Sequence, residues 1–600
     1  MRLSHIVVVD AAKAGVIGDD ITPDTARIRS MKQEMTALLA DWCEGLLRHQ
    51  INAPADPERH GALICPDCGF LHGRCADAVY PFIRMARATG EDRWIQVAVA
   101  VQRWSHTVSH ENGSFRNDVS GNNWDGITVF AVLALAEALH EHGDLLPDAT
   151  RSRWMERLER AARWINGVDW ADHGTINYPI SAAAALAAAS RVLGDGMLLD
   201  TARHWGTWAR DYFLPGGILF GEGPRVPTKR GIYAVDALYN LEESLPNYAL
   251  YAEITGDAEA RALILRSFAS HLDFLLPDGS YDAGWCSRSF KWTLWGSRTS
   301  DGIAGLLPYT RFDDRIAEAV WRNIEYLHSC THDGLLYGGP HLQSHGRPPC
   351  IHHTFAHAKA LAAALDGGHF ADKRRDLPAD KPRGIRTRPA LGTTFVSHGD
   401  WRASFTVSDV FYGARGSHAS GGAMTMLWHA ATGPLCVSSM SQYDRIEGRN
   451  MATMRSETEI AVLTPRLEHG TFSGALDWNA TLQAGEDSVA ASGRLTDLQG
   501  EPAGEFLLET RFEKDTVHFH ARGEGAVFVL PVVSRGGERV EWSAHRVEIH
   551  KPHASVICES TGIIRGDANR IFHFVPGVQA VRLEINVPAG GLDVFLQVRR

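Results

Sequence analysis

From about residue 30 to 366, two kinds of apolar pattern alternate along the chain. Runs such as Asn122 to Leu139, Tyr178 to Leu193 and His353 to Leu365 are small and apolar on every face. A helix of that kind is buried all round. Between them lie charged, amphipathic runs with one wet face, such as Ala149 to Ile165 and Glu259 to Leu275. The connections alternate as well. Tight turns follow the apolar runs, at Gly90, Gly143-Asp144, Gly194-Asp195, Gly256-Asp257, Asp313-Asp314 and Asp366-Gly367. Glycine suits a helix C-cap and aspartate the next N-cap. Long polar loops follow the amphipathic runs, at roughly 51–75, 110–122, 167–177, 214–236, 277–298 and 330–352. Six such repeats predict six inner and six outer helices closed into an (α/α)6 toroid over residues 1–366. All six long loops then gather at one rim, and loops of that length are usually functional.

Residues 367–393 hold three prolines and a dense charge run, which reads as a linker strapped over the surface. Beyond it the period changes to two. Thr394 to Ser397, Trp401 to Val407, Ala423 to Trp428, Phe506 to Phe512, Val517 to Ala521, Ala526 to Val533, Ala580 to Val587 and Leu592 to Val598 read as strands. Residues 394–600 are therefore expected to form an antiparallel β-sandwich, giving an α+β multidomain chain.

Composition adds exclusions. The chain has 600 residues and a net charge of −11, which argues against a partner held by phosphate neutralisation, so no nucleic acid is expected. No apolar run reaches membrane-helix length, so no membrane partner is expected. Ile6 to Val9 is too short for a secretory core, and nine cysteines without framework spacing fit a reducing compartment. A cytoplasmic monomer or small homo-oligomer is the expectation.

The gathered loops offer one polar constellation. Loop one carries His72 and Arg74, loop two Asn122, Asn123 and Trp124, and loop three His173, Asn177 and Tyr178. Loop four and the helix start after it carry Glu222, Arg225, Tyr233, Asp236, Tyr239, Asn240 and Glu243. Loop five carries Arg288, Lys291, Trp292, Trp295 and Arg298, and loop six His352 and His353. Indoles suit sugar rings, and cationic and amide groups suit a carboxylate. A sugar with a carboxylate is a uronic acid, so an acidic oligosaccharide or polysaccharide is the expected partner. His72, Arg74, Asn122, Trp124, Tyr178, Tyr233, Asn240, Glu243, Trp292, Trp295 and His352 are the candidate binding residues.

The twelve-helix pattern with a following β domain resembles the toroid polysaccharide lyases of the heparinase II/III-like and alginate-lyase-like groups. The stretch from Pro215-Gly216-Gly217 to Gly223-Pro224 is similar to the segment that supplies a tyrosine in those lyases, and Asn122-Asn123-Trp124 to their cleft entry. Loop three departs from the pattern, with His173 and Asn177-Tyr178 where an Asn-His pair is usual. The resemblance implies β-elimination from a uronate-containing glycan; a cytoplasmic site then implies short oligosaccharides, and long loops that wall off one end of the cleft favour exo action. A neutraliser must mask the carboxylate, a base must take the C5 proton and an acid must protonate the leaving O4. Tyr239 is the first candidate acid or base and His173 the second, with Tyr178 and Tyr233 competing for the role of Tyr239. Asn123, Asn177 and Arg298 are candidate neutralisers, and His353 is a further catalytic candidate. The alternative is a toroid glycoside hydrolase acting on uronate-containing or unsaturated uronyl oligosaccharides, built on paired carboxylates.

The chemistry needs no cofactor. Cys65, Cys68, His72 and Cys75 nevertheless have zinc-like residue types, and a structural zinc there is one expectation. The pair His353 and His357, and the set His398, Asp400, His418 and His429, are two further metal options.

Overall fold

The computed structural model describes residues 23–600 apart from 120–121, 222–225, 372, 411–417, 441–443, 447–450 and 454–461. Ile6 to Val9, Glu222, Gly223, Pro224 and Arg225 therefore lie outside the described residues. Among the described residues no helix is long and apolar enough to cross a membrane.

The alternating pattern becomes a double ring. The outer rods are α1 (Pro23–Arg48), α3 (Asp92–Trp104), α5 (Asp148–Asn166), α7 (Gly196–Trp208), α10 (Ala258–His271) and α11 (Arg315–Ser329). The inner rods are α2 (Val79–Thr89), α4 (Thr128–His142), α6 (Asn177–Leu193), the compound segment α8 (Ala237–Tyr239) to α9 (Leu245–Thr255), a 3-10 helix at Ile303–Arg311, and α12 (Ile351–Gly367). Each inner rod touches the next, and α12 returns to α2, so the ring closes. The poly-alanine face of α6 explains the tight approach: Ala182 to Ala189 are all buried, on every side of the helix. The short turns are capped as their residues dictate. Gly194 and Gly256 take left-handed conformations (φ 71° and 72°), and the Asp195 and Asp257 side chains accept from the next helix's backbone N–H groups.

Two elements differ from the pattern. The apolar run at 122–139 becomes helical only at Thr128, because Asn122 to Asp125 turn to face the rim. The strap also carries structure. Its Arg383–Arg388 segment is a strand pairing with Thr393–His398, so the β part begins before residue 394. Arg386 and Arg388 meet Asp273, which anchors this strand on the toroid.

Among the described residues the β part contains two large antiparallel sheets and a two-stranded ladder of Asp444–Ile446 with Met451–Thr453. The smaller runs in sequence order through Arg383–Arg388, Thr393–His398, Trp401–Thr406, Ala423–His429 and Gly433–Val437. The larger includes Thr516–Arg522 beside Leu592–Arg599, where Val517, Phe519 and Ala521 stand opposite Leu596, Val594 and Leu592 on the buried face. Trp401, Phe405 and Leu427 of the small sheet share a core with Phe519, Phe528 and Val581 of the large one. Residues that point the other way, Phe395, Met426 and Trp428, join the helical core. The Trp428 indole donates to Asp278 on loop five at 2.7 Å, so the small sheet stands on the loop-bearing rim.

Candidate active site

Inner rod four sets the centre of the site. Asp236 caps α8, its side chain accepting from Tyr239 N. The chain then makes a π-turn, Asn240–Ser244, before α9. Proline explains the irregularity. Pro246 has no N–H to offer the Glu242 carbonyl one turn back, and that carbonyl accepts from Gly302 N at 2.9 Å instead. Tyr239 and Glu243, four positions apart across the π-turn, both reach one cavity of about 440 Å³.

Loops from all round the rim complete that cavity: Asn117, Asn122 and Trp124, then Asn177 and Tyr178, Arg288 and Lys291, Thr299, and His72, Arg74 and His352. The Tyr239 hydroxyl contacts Thr299 Oγ1 and accepts from Lys291 Nζ at 2.9 Å. The Arg288 guanidinium lies 4.6 Å from its ring centre. Burial, together with the charges of Glu243 and Asp236, still holds the Tyr239 phenol well above its ordinary range. Desolvation of the phenolate outweighs the nearby cations.

Below the tyrosine lies a buried ion network. Arg74 meets Asp77 at 2.6 Å, Asp301 at 2.9 Å and Glu243 at 3.8 Å, and Lys359 meets Asp301 at 2.8 Å. Asn177 Nδ2 donates to Glu243 Oε1 at 2.6 Å, fixing the amide at the cavity wall. Burial and Asp301 push the Glu243 carboxyl up. The Trp124 indole forms a platform at the mouth, its Nε1 donating to the Tyr178 hydroxyl at 3.0 Å. His173 stacks on its face at 4.9 Å and donates to Asp125 at 2.9 Å. Burial also holds the His352 imidazole well below its ordinary range, with Arg74 and His72 adding to the effect.

Glu242, facing away from the cavity, accepts from Ser297 N at 2.8 Å and from Ser300 Oγ. Burial still pushes its carboxyl up to about 8. A carboxyl raised on folding stabilises fully below its unfolded value, and that contribution is lost as pH rises through its folded value. Between about pH 5 and 8 this one group should reduce stability by up to about 1.4 kcal/mol per pH unit. Glu242→Gln removes the ionisation. The thermal midpoint of the variant should therefore gain on wild type as pH rises from 6 to 8. Parallel midpoint curves would show that Glu242 does not titrate in this window.

A second cavity, of about 250 Å³, lies at the short-turn end. Its charges are neutralised in pairs, Glu137 with Arg191, Glu253 with Arg311 and Asp366 with Arg84 and His142, so it reads as scaffold.

The ring brings Tyr239, Asn177, His72, Arg74, Asn122, Trp124, Tyr178, Glu243 and His352 together as the sequence predicts. Other candidates lie elsewhere. Arg298 is fully buried, donates to the Phe290 carbonyl and stacks over Phe574, so it holds loop five to the β part. His353 packs beside Trp295 behind the wall, and the Trp295 indole donates to the Tyr337 carbonyl. Asn240 is committed to the Leu219 carbonyl and His271. Trp292 is buried in the core, Tyr233 backs onto Ala390, and Asn123 is exposed outside the cavity. His173 sits behind Trp124 and supports it, outside the cavity lining. Arg288 and Lys291 take the place proposed for Arg298. Two cations three residues apart in the loop facing Tyr239 were the available signal.

The metal options sort as clearly. Cys65, Cys68 and His72 draw together, but the Cys75 thiol meets the Leu63 backbone and Cys350 stands in its place. His357 bonds the His353 carbonyl through Nδ1, so those rings form no ligand pair. His398 binds Asp487, Asp400 binds Arg600, and His418 is held by two backbone carbonyls, so the β-domain set does not gather.

Residues 39–382 match the family described as "Ulvan lyase N-terminal domain", and residues 385–599 match "Ulvan lyase C-terminal domain". A broad-specificity ulvan lyase of Formosa agariphila is 36% identical over 586 residues, covering 92% of each chain. Among solved structures, a variant of the chondroitin AC lyase of Streptomyces coelicolor A3 is 14% identical. It matches at a TM-score of 0.50 over 96% of this chain and 83% of that one. The heparan sulfate lyase HepC of Pedobacter heparinus matches at 0.42, with 9% identity, over 98% of this chain and 85% of that one. The chondroitin lyase likeness shows the fold alone.

Proposed function

The chain belongs to the ulvan lyase family and is a polysaccharide lyase, and from that premise we propose that it cleaves ulvan at a uronate residue by β-elimination in the Tyr239 cavity. The observation that carries this reading is one hollow that holds the Tyr239 hydroxyl, Arg288, Lys291, the Asn177 amide and the Trp124 indole. Trp124 stacks a sugar ring at the mouth. Arg288, Lys291 and the Asn177 amide face the uronate carboxylate and take up the charge that moves onto it when C5 loses its proton. Tyr239, protonated in the resting protein, gives its proton to the departing O4. His352, kept neutral, takes the proton from C5. The family membership replaces the hydrolase alternative.

Exo action is the finer part of the proposal. A compact cavity of about 440 Å³, rather than a groove open along the rim, supports it. Incubation with ulvan tests both parts. Elimination leaves a C4–C5 double bond conjugated to the carboxylate, read as rising ultraviolet absorbance; reducing ends released without absorbance would overturn the reaction. Sizing the products over time tests the finer part. One small product from the first minutes supports exo action, and a ladder of intermediate lengths refutes it.

A further inference from the structure

Loop one makes a tight knuckle at Cys65 to Phe70. Cys65 N donates to the Phe70 carbonyl, Gly69 N donates back to the Cys65 carbonyl, and Gly69 takes a left-handed conformation (φ 71°). This fold-back brings the Cys68 thiol beside Cys65 and His72. The fourth group comes from the far end of the helical chain. Cys350 is the residue capping α12, which ring closure brings against loop one. The sulfurs of Cys65 and Cys350 lie 3.8 Å apart. His72 Nε2 lies 3.6 Å from the Cys68 sulfur and 4.0 Å from the Cys350 sulfur. Cys65, His72 and Cys350 are buried, Cys68 partly so.

We propose that Cys65, Cys68, His72 Nε2 and Cys350 form a structural zinc site that clamps loop one to the start of α12. Cys65, His72 and Cys350 stand within 4.8 Å of one another, and Cys68 joins them through its 3.6 Å approach to His72. With Zn–S near 2.3 Å and Zn–N near 2.0 Å in a tetrahedron, two thiolates lie about 3.8 Å apart and a thiolate and an imidazole nitrogen about 3.6 Å. A disulfide does not fit, since its sulfurs would be about 2.05 Å apart. Three thiolates and one imidazole leave no open position, so the ion is structural and stays out of the reaction. Each thiol gives up its proton on binding, and the charge of the ion offsets the buried thiolates. The clamp has a consequence for the cavity. His72 and His352 both line it, 6.2 Å apart between ring centres, and Cys350 is two residues before His352. Fixing Cys350 therefore fixes the first turn of α12 at the cavity wall.

The test is metal content, which does not depend on activity. Purified wild-type protein, dialysed against metal-free buffer, should hold about one zinc per chain by plasma mass spectrometry. Cys65→Ser and Cys350→Ser should lose it, while Cys75→Ala should keep it. Should the serine variants fail to fold, cobalt offered to the wild-type protein refolded without zinc gives the second reading. The thiolate-to-cobalt charge-transfer band expected for three sulfurs supports the site. Wild-type protein that holds no zinc after supplementation and gives no such band overturns it. So does zinc that persists in Cys350→Ser and disappears in Cys75→Ala.

Discussion

Tyr239→Phe should lower kcat by about a thousandfold or more while leaving KM within a few-fold of wild type. The variant removes one oxygen and keeps the ring on which Arg288 stacks. On the proposed mechanism what is lost is the proton donor to the leaving oxygen, and general acid catalysis of this kind contributes about a hundred- to ten-thousandfold. The leaving alkoxide cannot depart unprotonated at neutral pH, which places the effect toward the upper end. Substrate binding rests on other groups, the Trp124 platform and the cations of loop five, so KM should hold. Initial rates by ultraviolet absorbance across a range of ulvan concentrations give both constants. Full activity in Tyr239→Phe would remove Tyr239 from the reaction, and a rise in KM alone would make it a binding group. The raised phenol adds a pH signature. Burial and the neighbouring carboxylates keep Tyr239 protonated, so it should contribute no alkaline fall in kcat/KM near neutral pH. Loss of activity on a phenol titration just above neutrality would contradict this.

The ring was legible because helix burial leaves a direct trace. A helix of small apolar residues on all faces, such as Ala182 to Ala189, has one place to go in a large chain, and six alternations with Gly/Asp turns at one end prescribe where the loops meet. The site was legible only in part. Residue type and loop position brought Tyr239, Asn177, Trp124 and Glu243 into one cavity, but side-chain direction within a loop depends on contacts that sequence does not display. Arg298 and Arg288 lie in the same loop and carry the same charge. One is turned into the β part by Phe574 and the Phe290 carbonyl, and the other stacks on Tyr239. The cysteines repeat the lesson over a longer distance. Cys75 is close to Cys65 in sequence, yet Cys350 is the one beside it in space, because the twelfth helix closes against the first long loop. The irregular turn at Asn240–Ser244 belongs to the same class: Pro246 announces a missing donor but not that Gly302 will supply it.

Arg288→Ala should lower kcat/KM on ulvan by about a hundredfold, since losing one preorganised stabiliser of developing negative charge typically has that size. The C5 proton of a uronate is hard to remove because the carbanion would form beside a full negative charge. A guanidinium in the cavity wall, next to the tyrosine proposed to protonate O4, would relieve that repulsion as electron density moves onto the carboxylate. Arg288→Lys should recover part of the rate, because it restores charge without the planar fork that matches a carboxylate. A structural role for Arg288, merely holding the Tyr239 ring, would produce a similar loss, so rate alone does not separate the two. A substrate with its carboxylates converted to methyl esters does. An ester carries no charge to mask, so the deficit of Arg288→Ala relative to wild type should shrink several-fold on that substrate, even though both enzymes bind it less well. An undiminished deficit on the ester would assign Arg288 to positioning the tyrosine. The work of neutralisation would then rest with Lys291, whose Nζ sits 2.9 Å from the Tyr239 hydroxyl, and with the Asn177 amide.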